Sequence, residues 1–306
     1  MVGPMSDATT EPRLVTVDVE GGALTLAEWG PQEATTAVLA IHGITASSRS
    51  WPLLAEALPD VRILAPDLRG RARSNALPGP YGLRQHAADL QRVLDALGID
   101  RVVAIGHSMG CFVAVELTAH EHRVAELILV DGGFPLQLPV GLRLEDAPSA
   151  LLGPAFERLR MTFLTRAAYA DYWRQHPAFA ADWSSTVEGY LDYDLQESDG
   201  GFAPSSNPEA VLADFGDQFG PDWYVHDLGS IEAPITAIRA PRGLMNEEPG
   251  LYPPGRIESF RATLPDLRIV EVADVNHYTV LMSPHGAAVI AEQLRDALDR
   301  VMTRAD

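Results

Sequence analysis

Lysine is absent from the 306-residue chain, and all 23 basic side chains are arginine. This excludes a P-loop lysine, a Schiff-base lysine and a Ser-x-x-Lys acylating pair. Cysteine is nearly absent: Cys111 stands alone, so the chain can close no internal disulfide and offers no zinc-ligand spacing. That usage fits a reducing compartment. Positive charge is also scarce, and the net charge of -19 disfavours nucleic acid and anionic membrane surfaces as partners. No apolar run approaches 18 residues, and the opening "MVGPMSDATTEP" has no basic stretch followed by an apolar one, so neither a membrane span nor a signal peptide is expected. The expected location is the cytoplasm. Arginine without lysine, together with abundant alanine, suggests a GC-rich bacterial genome.

What is present is an ordinary globular composition, 46% hydrophobic and 21% charged, with length enough for a large core. "RLVTVDVEGGALTLAEWG" reads as a hairpin turning at Gly21-Gly22. Short apolar runs follow at 36–41, 61–66, 101–106, 126–133, 234–240 and 267–272, with helical patterns between several of them. Runs apolar on both faces predict a mostly parallel sheet covered by helices on each side, an α/β fold. Leu83, Ala87, Leu90, Leu94 and Leu97 recur at helical spacing before Gly98, and Pro284 opens a last amphipathic helix.

Residues 134–226 break this rhythm. The stretch shows helical patterns, loops such as "SDGGFAPSSNP" and no clear strand, and it holds most of the chain's 22 aromatic residues. It is expected to be a helical cap, with 13–133 and 227–303 forming the core. The aromatics suggest an apolar pocket beneath it.

"RVVAIGHSMGCFVAVEL" reads as a strand, a sharp turn and a helix. Gly106 and Gly110 flank Ser108, and without β-carbons they permit a strained turn that lifts the hydroxyl toward the strand ends. The backbone N–H of Met109, in the first turn of the helix, can face a developing oxyanion. Ile44, after His42-Gly43, would supply a second N–H. Gly-His-Ser-Met-Gly, the earlier His-Gly and "DLRGRARS" (67–74) together resemble the α/β-hydrolase superfamily, in its serine-nucleophile branch with a cap.

The resemblance implies a catalytic Ser108 and a late histidine, for which His277 has the family's position, between the last strand and the final helix. His120 and His122, two apart on a helix, point to different faces and are not expected to pair on a metal. The acid is where the chain departs from the pattern: three residues after Gly243 stands Asn246, a neutral amide. Asp131, at a strand end that some members use, and Glu247 or Glu248 in the loop remain alternatives. Asp67 is expected to bond the tight turn at Gly70, and Cys111 to be a small packing residue.

The chemistry implied is acyl transfer without metal or organic cofactor on a small-molecule substrate: an ester, thioester or lactone. Carbon–carbon hydrolysis, peptide hydrolysis and a non-catalytic small-molecule receptor are the alternatives, and a homodimer stays open.

Overall fold

The computed structural model describes residues 11–303. The stretch read for a signal peptide lies almost wholly outside them. β1 (Arg13–Val19) and β2 (Gly22–Trp29) form the expected antiparallel hairpin, but Gly22 already pairs with Val19, so the turn is Glu20-Gly21. Then come β3 (Thr36–Ile41), α1 (Pro52–Ala57), β4 (Ile63–Pro66), α2 (Leu83–Ala96), β5 (Arg101–His107), α3 (Met109–His120) and β6 (Val124–Val130).

Between β6 and the next strand of the main sheet lies an inserted segment. It comprises α4 (Ala147–Leu152), α5 (Pro154–Glu157), α6 (Arg166–Arg174), α7 (Ser185–Asp194), β7 (Leu195–Ser198), β8 (Gly201–Pro204), α8 (Pro208–Asp217) and α9 (Asp222–Ser230). The chain ends with β9 (Ile235–Arg239), β10 (Arg268–Glu271), α10 (Thr279–Met282) and α11 (Pro284–Thr303). Eight strands form one sheet in the order β1-β2-β4-β3-β5-β6-β9-β10, antiparallel across β1, β2 and β4 and parallel from there on.

The apolar runs are strands, and those inside the sheet are buried on both faces because alternate side chains enter different cores, whereas β10 at the edge is only half-buried. Leu39, Ile41, Ala104 and Leu129 pack with Leu90 and Leu94 of α2 and Phe112 of α3. Val38, Ala40, Ile105 and Val130 pack with Ile290, Leu294 and Leu298 of α11. Helix α2 stops where expected: Gly98 takes φ +60°, and the Ile99 N–H bonds back to Leu94 O at 3.0 Å.

The inserted segment differs from the reading in one element. The stretch read as a loop contains β8, which pairs with β7 around Asp199-Gly200. Its strands are only four residues long, too short for an alternation to betray them. Thr165, Ser184 and Asn207 cap α6, α7 and α8 by accepting backbone N–H groups. The border expected at 226/227 falls inside α9. Most aromatics here serve packing: Trp173 meets Phe179 at 5.6 Å, and Phe179 meets Tyr278 at 5.1 Å between ring centroids. Among the described residues no helix is long and apolar enough to cross a membrane.

One buried ion pair lies within the segment and a second ties it to the core. Arg158 Nη1 lies 2.8 Å from Asp194 Oδ2, both side chains almost fully buried. Asp214 of α8 meets Arg71 at 2.5 Å and His86 at 2.9 Å, and accepts the Gly82 N–H at 2.7 Å. Burial alone would raise the Asp214 carboxyl, but Arg71 and His86 outweigh it and hold its pKa at about 2.

Asp214→Asn strands the Arg71 charge in the interior and should cost about 3–5 kcal/mol in urea unfolding. Asp146→Asn, at the exposed pair with Arg143, should stay within about 0.5 kcal/mol. Equal losses would show that burial of the pair is not what matters.

Candidate active site

Ser108 sits between β5 and α3 with φ 54° and ψ -123°, a conformation that costs a non-glycine residue about 1–3 kcal/mol. Backbone crowding imposes it. A β-carbon on Gly106 would lie 2.4 Å from Cys111 N, and one on Gly110 would lie 2.1 Å from Ile41 O, so only glycine lets α3 start this close to β3 and β5. Ser108 N–H bonds to Val130 O and Ser108 O accepts from Cys111 N, both at 3.0 Å. The side chain is half-buried, and Ser108 Oγ has no hydrogen-bond partner among the described residues. Met109 opens the helix, so its N–H has no carbonyl a turn earlier to bond.

The loop after β3 approaches from the other side: a β-carbon on Gly43 would lie 3.2 Å from Ser108 Cβ. Three carbonyls of this loop are held. Gly43 O accepts from His42 Nδ1 at 2.7 Å and from Ala46 N at 3.1 Å. Ile44 O accepts from Arg71 Nε at 3.0 Å, and Thr45 O from Arg158 Nη2 at 2.9 Å. In a trans peptide the C=O and the next N–H point oppositely, so anchoring Gly43 O on His42 turns the Ile44 N–H away from that ring. Gly43, Ile44 and Ser108 line one small cavity of ≈ 30 Å³ with His277.

His42 can anchor the loop only when neutral. Its Nδ1 donates to Gly43 O while its Nε2 accepts the Leu68 N–H at 3.0 Å, which a doubly protonated ring could not do. Burial lowers its pKa to about 3, against a smaller upward pull from the Gly43 bond. The adjacent Arg71 charge contributes to this lowering.

Of the carboxylates considered for His277, Asp131 reaches it. His277 Nδ1 donates to Asp131 Oδ2 at 2.6 Å, and Asp131 Oδ1 accepts the Ala240 N–H at 3.3 Å. Asp131 is fully buried. Glu247 instead turns its Oε2 onto the Met245 N–H at 2.7 Å; Glu247 and Glu248 are exposed, and neither hydrogen-bonds to His277. Asn246, at the position where the family pattern expects an acid, accepts from Asn276 Nδ2 at 3.1 Å. Asn276 Oδ1 in turn accepts the Tyr278 and Thr279 N–H groups, both at 3.0 Å, which fixes the bend carrying His277. His107 Nε2 donates to His277 O at 2.8 Å.

Asp67 is structural but not through Gly70: it accepts the Ser48 and Arg73 N–H groups and the Tyr193 hydroxyl, while the Gly70 N–H goes to Ser74 O. The turn closes on its own backbone, which leaves the carboxylate free to join two loops. Cys111 is buried, and burial together with the Asp131 charge pushes its thiol pKa up, away from a reactive thiolate. The sequence did not single out Arg158 or Asn276; His42 stood at a motif position of a structural or oxyanion-loop kind, without its partners being legible. Arg71 was legible within "DLRGRARS", but a lone arginine such as Arg158 in an amphipathic pattern carries no signal.

A second cavity of ≈ 310 Å³ is bordered by Ser108 and His277. Leu136, Leu151, Leu244 and Phe215 are among its walls, with Gln218 and Arg256 as polar contributors. Leucines, more than the segment's aromatics, make it apolar; of those aromatics Phe215 alone is in its lining.

Residues 36–283 match the family model described as alpha/beta hydrolase fold. Over 116 residues the chain is 39% identical to Lipase LipV of Mycobacterium tuberculosis, a match covering 38% of this chain and 43% of that protein. The chain spans about half the length of the curated relatives it matches. Among solved structures, E-2-(acetamidomethylene)succinate hydrolase superposes with a TM-score of 0.74 at 20% identity, over 94% of this chain and 99% of that one. The thioesterase domain from the curacin biosynthetic pathway gives 0.72 at 23% identity, over 92% and 98%. At these identities the two structures speak for the fold alone.

The neutral His42 makes stability depend on pH. Its folded pKa of about 3 lies below the ordinary 6.5, so the unfolded chain binds the extra proton. The contribution is fully present above pH 6.5 and is lost as pH falls toward 3. Between pH 7 and 5 the loss from this group should be about 2 kcal/mol in urea unfolding. His42→Gln should start less stable and decline less steeply; parallel declines would assign the effect elsewhere.

Proposed function

The chain belongs to the alpha/beta hydrolase fold family, and from that premise we propose that it is a serine hydrolase cleaving a carboxylic ester, thioester or lactone of a small to medium apolar substrate. The observation that carries this reading is the 2.6 Å bond from His277 to the buried Asp131, with the same histidine bordering the cavities that Ser108 opens into.

In this mechanism Ser108 Oγ attacks the substrate carbonyl carbon and gives its proton to His277 Nε2. The oxyanion that forms is met by the N–H groups of Met109 and Ile44, each such donor being worth about 2.7–4 kcal/mol of transition-state stabilisation. His277 then protonates the leaving alcohol or thiol as the tetrahedral carbon collapses to an acyl-serine. Water, deprotonated by His277, attacks the acyl group and regenerates Ser108. Asp131 holds the proton-bearing Nδ1 in place and stabilises the imidazolium formed in each step. The free Ser108 Oγ is compatible with this scheme, because such contacts tighten when substrate binds.

The inserted segment acts as a cap. It contributes Leu151, Phe215 and Gln218 to the larger cavity, whose size suits a small acyl or alcohol group. Asn246 holds Asn276 with its amide oxygen while Asp131 bonds to His277, which supports a catalytic reading over a non-catalytic receptor.

Wild type should hydrolyse p-nitrophenyl esters of short to medium acyl chains and react with a fluorophosphonate probe. Ser108→Ala should lose both, with turnover down by about 10³-fold or more. A folded wild type that neither turns over nor labels would refute the reading. Turnover of diketone or amino-acid amide substrates in preference to esters would redirect it to carbon–carbon or peptide hydrolysis.

Asp131→Asn should lower kcat by about 10³–10⁴-fold with little change in Tm. Glu247→Gln and Glu248→Gln should stay within about twofold. The reverse pattern would remove Asp131 from the mechanism.

A further inference from the structure

The far end of α3 carries a second set of polar side chains that the chemistry at Ser108 does not use. Glu116 and His120 lie one helical turn apart, on one side of α3. Asp227 faces them from α9. His120 Nε2 lies 3.5 Å from Glu116 Oε1 and 3.5 Å from Asp227 Oδ2, and one donor atom from each residue falls within 4.8 Å of the others.

The carboxylates are not balanced by ordinary hydrogen bonds. Their side chains are 4% and 8% exposed, and Glu116 Oε2 and Asp227 Oδ2 are buried without a hydrogen-bond donor. Two carboxylates turned toward one space require a shared proton or a cation between them. Arg84 approaches at 3.5 Å and 3.9 Å, but its side chain is 58% exposed and stacks on Trp223 at 4.3 Å, so it neutralises the pair only from the rim.

We propose that Glu116, His120 and Asp227 form a binding site for a divalent cation of the zinc type, clasping α3 to α9. The spacing fits. Metal–ligand bonds of about 2.0–2.1 Å in a tetrahedron put ligand atoms roughly 3.4 Å apart, close to the two 3.5 Å separations from His120. One imidazole nitrogen and two carboxylate oxygens suit zinc better than calcium, which takes six to eight oxygens. Water completes the fourth position. His226 Nδ1 lies 3.1 Å from the other Asp227 oxygen, Oδ1, where it orients the ligand from behind. His122 takes no part: it is 94% exposed and lies against Glu121.

The test uses the full chain stripped of metal with EDTA and dialysed, then titrated with Zn²⁺ by calorimetry and melted with and without excess Zn²⁺. Wild type should bind one equivalent saturably and gain about 4 °C or more in Tm. His120 is half-exposed, so His120→Ala should fold, as its metal-free melt will verify, yet bind Zn²⁺ at least about tenfold more weakly. Arg84→Gln removes the competing cation and should bind at least as tightly as wild type. No saturable uptake by wild type would overturn the proposal. So would unchanged affinity in His120→Ala, the result expected if Zn²⁺ sits at His277, or loss of binding in Arg84→Gln.

Discussion

The arrangement around Ser108 depends on backbone meeting backbone where β3, β5 and β6 end. Gly110 leaves no room for a β-carbon against Ile41 O, Gly106 none against Cys111 N, and Gly132 none against Ser108 O. These contacts are as close as main chains can come, and the left-handed φ at Ser108 follows from them. They also gather the loop bearing Ile44, the turn bearing Ser108 and the strand end bearing Asp131 into one place. Parallel strands with helical crossovers send their carboxyl ends to one side, so the gathering is a property of the topology.

A second constraint comes from charge. Arg71 and Arg158 would be costly to bury alone, and each is matched by an aspartate of the inserted segment, Asp214 and Asp194. The same two guanidinium groups donate to Ile44 O and Thr45 O. Docking of the segment and placement of the loop beside Ser108 are thus one electrostatic problem with one solution. His42 completes it by binding Gly43 O and the Leu68 N–H in its neutral form. A segment that lines the larger cavity therefore also helps orient the peptide groups that face the smaller one.

The histidine loop shows how a departure from a family pattern is absorbed. An acid near Asn246 would need the loop after β9 to deliver a carboxylate to His277. Here that loop delivers an amide that braces Asn276, and the carboxylate comes from the end of β6. Proton-bearing Nδ1 is held either way, because what the ring requires is a buried acceptor within hydrogen-bond distance.

The amino-acid pattern by itself determined the parallel sheet, the α2 and α11 helices and the turn at Ser108, since continuous apolar runs, helical spacing and paired glycines are local signals. It also marked Ser108 and His277 through motif position. Only the tertiary structure shows which of Asp131, Glu247 and Glu248 hydrogen-bonds to His277, because all three lie far from it in sequence and differ in where their strand ends and loops converge. It alone exposed the β7–β8 hairpin, too short for periodicity, and the work of Arg158 and Asn276, whose partners sit on other elements. Local order is written in neighbouring residues, whereas the pairing of buried charges depends on distances that exist only after the chain has folded.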